Sequence, residues 1–176
     1  MRQSLSEQQQ VTIYQYRLIR RKTIRPELVQ SHVFIAALFL GCLVIVYHLN
    51  GLFAWLFGFV LVQLLHMVIL LLTFIRVEEA VERRWQWRIT PPWFGIGPAN
   101  DISLRLFRRV HRTMLWIGLC LIALLYPWAN EPLMISCICW HLWLLIPRSL
   151  ISISFRKESK DGVLRLHTSE ASYYHR

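Results

Sequence analysis

Apolar residues in this chain gather into two long stretches, and polar ones fill the three segments around them. From Leu28 to Ile75 there is no Lys, Arg, Asp or Glu, and from Thr113 to Pro147 the only one is Glu131. A helix needs about 20 apolar residues to cross a hydrocarbon core. The first stretch, of 48 residues, is long enough for two crossings and a turn. The second, of 35 residues, suffices only if its helices begin and end inside the flanking polar segments. The pattern predicts an all-α integral membrane protein with four transmembrane helices arranged as two hairpins.

Residues 1–30 read as a basic amino-terminal arm, in which VTIYQYRLIRRK (Val11–Lys22) fits a strand or an interfacial helix equally. Residues 31–75 form the first hairpin, with spans near Ser31–Leu49 and Leu52–Ile75 around an Asn50-Gly51 turn. Ala37/Gly41 and Ala54/Gly58 have the spacing of small residues that lets helix backbones approach. Residues 76–112 form a loop. It opens on Glu78, Glu79 and Glu82 beside Arg83 and Arg84, a spacing that prolongs the preceding helix. Pro91, Pro92, Gly95, Gly97 and Pro98 then exclude regular helix. Asn100 or Asp101 is placed to cap an amphipathic helix lying in the membrane interface, with Ile102, Leu106, Val110 and Met114 on one face.

Residues 113–155 form the second hairpin, with spans near Met114–Trp128 and Leu133–Ser154, a kink at Pro147 and Arg148 free to snorkel to the surface. Residues 156–176 form a polar tail with a turn at Asp161-Gly162 and a short strand over Val163–His167. His32 to Tyr47 and His111 to Tyr126 are equally spaced, which is too little to establish a duplication.

Charge orients this arrangement. The chain carries 20 Lys and Arg against 10 Asp and Glu, and every cation falls in the three polar segments. Positive residues stay on the cytoplasmic side, so both termini and the 76–112 loop are expected there, in a multi-pass protein of the plasma membrane. The apolar run begins only after Arg2, Arg17, Arg20, Arg21, Lys22 and Arg25, and no small-residue cleavage site follows, so the first helix is expected to remain in the mature chain. Cys42, Cys120, Cys137 and Cys139 all fall in expected spans, as packing residues.

Polar side chains at membrane depth are functional candidates because lipid cannot solvate them. Here they are Gln63, His66 and His141. Two histidines on separate helices can ligate a haem iron, and His66, His141 and Cys137 together can hold a soft metal such as copper. The simpler expectation is no cofactor, with the histidines hydrogen-bonded across helices. Arg105, Arg108, Arg109 and Arg112 are candidate contacts for lipid headgroups, which also makes nucleic acid an unneeded partner. Trp85, Trp87 and Trp93 are the candidate partner-binding residues.

No HExxH, GxSxG, Walker or CxxC pattern is present, so the expectation leans away from an enzyme. The functional expectation is an accessory or regulatory membrane protein that binds a larger partner, or a second copy, through its basic, Trp-rich surface. The alternatives are a small transporter or channel subunit with Gln63, His66 and His141 lining a path, and a haem- or metal-binding redox subunit using His66 and His141.

Overall fold

The computed structural model describes residues 17–75, 77, 84–99, 101–159, 162–167 and 170–175. Among them are three helices, α1 (Pro26–Phe74), α2 (Leu104–Leu124) and α3 (Glu131–Ser154). There are also six strands, β1 (Arg17–Thr23), β2 (Trp85–Arg88), β3 (Gly95–Pro98), β4 (Ile102–Ser103), β5 (Val163–Leu166) and β6 (Glu170–His175).

The 49-residue helix α1 is not straight. His48 has φ 52 and ψ −132, outside the helical region. A side-chain carbon built on Gly51 would lie 2.1 Å from the carbonyl oxygen of Leu43. Eight residues of straight helix span about 12 Å, so the chain must double back here into two limbs. Only glycine allows that approach, because any side chain would collide with the Leu43 backbone.

Helix α2 starts at Ser103, whose hydroxyl accepts from the Leu106 amide at 3.3 Å. Its buried residues are Leu104, Leu106, Phe107, Val110, Met114, Gly118 and Ile122. Helix α3 starts at Asn130, whose side chain accepts from the Leu133 amide, with Pro132 in the first turn.

The expected all-α fold with four transmembrane helices is wrong on two counts. First, the chain builds two β-sheets. The larger is antiparallel, in the order β1-β6-β5-β4, and draws its strands from before α1, before α2 and after α3. The smaller is the β2–β3 ribbon. Second, among the described residues only α1 and α3 are long and apolar enough to cross a membrane. The interfacial helix and the third span expected as separate elements form the single helix α2. Arg105, Arg108, Arg109 and Arg112 occupy its first half, and Ile102 belongs to strand β4 instead. The expected cap at Asp101 lies ahead of the true one, and Asn100 lies outside the described residues. So do the amino-terminal 1–16 and the Glu78–Arg83 extension.

The sheet packs on one end of the helices. Ile102, Leu164, Ala171 and Tyr173 from the strands meet Phe74, Phe107, Ile151 and Phe155 from the helices in one continuous core. Deeper along the helices, Gly58 sits against Ser136 of α3, 2.4 Å from its added carbon to the hydroxyl. Gly58 therefore marks the contact of α1 with α3, whereas Gly41 faces open space. Along α1, large side chains such as Phe34, Ile45, Phe53, Phe57 and Leu72 stand more than half exposed. An apolar surface of this extent marks a contact with lipid or with another protein.

Candidate functional site

The second limb of α1 brings Gln63 and His66 inward one turn apart, and α3 places His141 opposite them. All three are buried. His66 Nε2 lies 2.9 Å from His141 Nδ1, and His141 Nε2 lies 3.3 Å from the carbonyl oxygen of Leu115 on α2. A carbonyl only accepts, so His141 Nε2 carries a proton and its Nδ1 is bare when the ring is neutral. His66 Nε2–H must then donate to His141. One proton arrangement satisfies the pair, and it ties three helices together. The two rings meet edge to face, with centroids 5.0 Å apart.

The structure thus brings His66 and His141, both named as candidate ligands, into direct contact. Two ligands on opposite sides of one ion at 2.0–2.1 Å would stand about 4 Å apart. The pair as folded holds its own hydrogen bond in that place. Cys137 is buried one turn before His141. No three His, Cys, Asp or Glu residues cluster to hold a metal ion among the described residues.

Gln63 is enclosed with neither amide atom hydrogen-bonded among the described residues. Gly95 of β3 lies on it, with φ +87 and its added carbon 2.9 Å from Gln63 Oε1. Beside this contact is Arg148, which was expected to snorkel out but is 7% exposed. Its guanidinium donates to the carbonyls of Ile96 at 2.6 Å and Phe94 at 3.4 Å, on either side of Gly95. Two fixed carbonyls from the ribbon replace the water a snorkelling arginine would seek. Nearby, His111 Nε2 lies 2.9 Å from the Ser149 hydroxyl. Burial foremost, then the charges of Arg148 and His141, push the His111 imidazole down to about 4.

The three candidate tryptophans separate. Trp93 is 4% exposed and donates its ring N–H to the carbonyl of His167 at 2.9 Å. Trp85 is half-buried against Phe74, with ring centroids 5.4 Å apart. Only Trp87 stands out, 50% exposed beside Ile89 at 72%. Arg88 holds the ribbon down through the carbonyls of Pro98 and Leu166.

The candidate lipid-contacting arginines also divide. Arg105, Arg109 and Arg112 are exposed, while Arg108 turns inward to the carbonyl of Phe155 at the end of α3.

Sequence reasoning left open, between strand and interfacial helix, the segment that forms strand β1, whose seven residues are all exposed at the edge of the larger sheet. It carries Arg17, Arg20, Arg21 and Lys22 with Leu18 and Ile19 between them. Arg20 pairs with Glu158 and Arg21 with Glu170. Its alternation is faint because the run is basic on both faces, which is why periodicity alone left it undecided. No family model, curated protein or solved structure matches this chain.

Proposed function

We propose that the protein is a membrane-embedded adaptor, seated in the plasma membrane by its apolar helices. Its basic sheet and both termini lie on the cytoplasmic side. The positive-inside rule supports this orientation, because the cations gather at the sheet end of the helices. The function is to hold a partner protein against the membrane surface.

One observation carries this reading: among the described residues β1 is an edge strand, exposed along its whole length and basic. An edge strand presents unpaired backbone donors and acceptors to which another extended segment adds. A second copy pairing through the same edge would set cation against cation, which is unfavourable across strands. The complementary occupant is an acidic, extended segment. Trp87 and Ile89 on the ribbon supply an apolar contact next to it. Trp85 and Trp93 serve the fold.

The test is affinity purification in mild detergent of the parent chain and of an Arg17→Glu/Lys22→Glu variant. Neither residue is in an ion pair among the described residues, so folding and insertion should persist. Loss of the co-purifying protein from the variant supports the proposal. An unchanged co-purifying set counts against it. The meeting of Gln63, His66 and His141 in one interior favours, as a second reading, a polar path for protons or small solutes. Flux into proteoliposomes that disappears in a His141→Phe variant would support that reading instead.

A further inference from the structure

Between the first limb of α1 and α3 the helices do not close. Of the first limb, only His32 and Leu43 are buried. A cleft of about 170 Å³ opens at the sheet end, bordered by Lys22, Thr23, Ser31 and Ser154 and lined further in by Ile35 and Ile146. A second groove of about 240 Å³ continues from those same two isoleucines to Phe39 and Cys139. Polar side chains ring the mouth, and the depth is apolar.

His32 also lines the first part. Its ring stacks on Trp143, centroids 4.0 Å apart and planes 7° from parallel, and its backbone carbonyl accepts from the Trp143 ring N–H at 2.8 Å. The ring is 6% exposed, yet its Nε2 has no hydrogen-bond partner among the described residues. A buried ring nitrogen is unfavourable without a partner, and a ligand in the cleft is one source of it.

We infer that this groove binds one acyl chain of an anionic phospholipid, with the lipid phosphate at Lys22 and an ester oxygen at His32 Nε2. The inference rests on the membrane placement proposed above. From Leu28 to Phe39 the groove follows eleven residues of helix, about 16 Å, which is half of a hydrocarbon core of about 30 Å. That is the reach of a chain from one leaflet. Lys22 has no ion pair among the described residues, and it lies in a run of cations that draws anionic headgroups. A free phosphate would satisfy Lys22 but would leave the apolar length of the groove empty.

The experiment uses the full chain in phosphatidylcholine vesicles containing a minor fraction of either brominated phosphatidylglycerol or brominated phosphatidylcholine. Trp93 and Trp143 line the groove and report bromine by quenching. Quenching should show a preference for the glycerol lipid of about fivefold, the effect of one cation near the headgroups. That preference should vanish in Lys22→Glu. It should fall in His32→Phe, which keeps the stacked ring and removes the nitrogen. Glycerol phosphate added alone should not compete. Equal quenching by the two lipids in the parent chain would overturn the site while leaving the membrane placement intact. Competition by glycerol phosphate would overturn the lipid assignment. Absence of quenching by either lipid would remove both the site and the membrane placement.

Discussion

Replacing Gly118 with alanine tests whether the histidine pair is a joint between helices. Helix α2 approaches α3 at this residue, and a methyl group there would lie 2.2 Å from His141 Cε1. Carbon atoms in contact sit about 3.5–4.0 Å apart, so the ring must retreat by more than 1 Å. The hydrogen bonds of His141, 2.9 Å to His66 and 3.3 Å to Leu115, cannot both survive such a shift. Overpacking costs about 1–3 kcal/mol and each lost bond about 1 kcal/mol. Against this, Gly→Ala in a helix returns about 0.5–1 kcal/mol.

The net expectation for Gly118→Ala is destabilisation by about 2 kcal/mol, or a Tm about 4–8 °C lower in detergent. Gly41→Ala is the control, since nothing lies within 4 Å of its added carbon. It should be neutral or slightly stabilising. In a His141→Ala background the obstructing ring is gone, so the Gly118→Ala penalty should largely disappear. If Gly118→Ala and Gly41→Ala unfold at the same temperature, or if the penalty survives without the His141 ring, the histidine joint is not as described.

Two further outcomes follow from the buried groups. Arg148→Met should free the β2–β3 ribbon by leaving the Ile96 and Phe94 carbonyls without donors, raising hydrogen exchange over residues 95–99. Arg148→Lys should restore this only in part, because one ammonium lacks the fork of a guanidinium. His111, held down to about 4 in the folded chain against 6.5 unfolded, takes up its proton more readily when unfolded. Its contribution is therefore fully present above about pH 6.5, is lost as pH falls toward 4, and is constant below that. A pH series of Tm should show this slope in the parent chain and a shallower one in His111→Gln.

The apolar pattern located the helical stretches but not how they are built: the four expected spans are three helices, of which the first breaks at His48 and the third starts at the Asn130 cap. Of the strands, only β5 was read outright, over Val163–His167; the sheets as such were not legible, for a physical reason. Strand β1 is defined by pairing with β6, with Arg17 opposite His175 at the far end of the chain, and β4 is only two residues long. Such strands owe their existence to partners rather than to local periodicity. Trp93 shows the same limit. An indole buries where its N–H finds an acceptor, and here the acceptor is His167, 74 residues away. Arg148 likewise stays inside because a distant ribbon turns two carbonyls toward it. The arginines at the start of α2 suggested a separate surface helix. Their exposed positions alternate with a buried stripe that continues unbroken into the apolar half, so one helix carries both.

The placement of the sheet relative to the membrane decides the account most directly. Single cysteines at Thr23 in β1 and at Asn130 before α3, introduced into a chain lacking its four native cysteines, should be exposed to a membrane-impermeant maleimide on intact cells. The account predicts that the Asn130 cysteine labels from outside, whereas the Thr23 cysteine labels only after permeabilisation. External labelling of the Thr23 cysteine, or release of the protein from membranes by an alkaline wash, would contradict it.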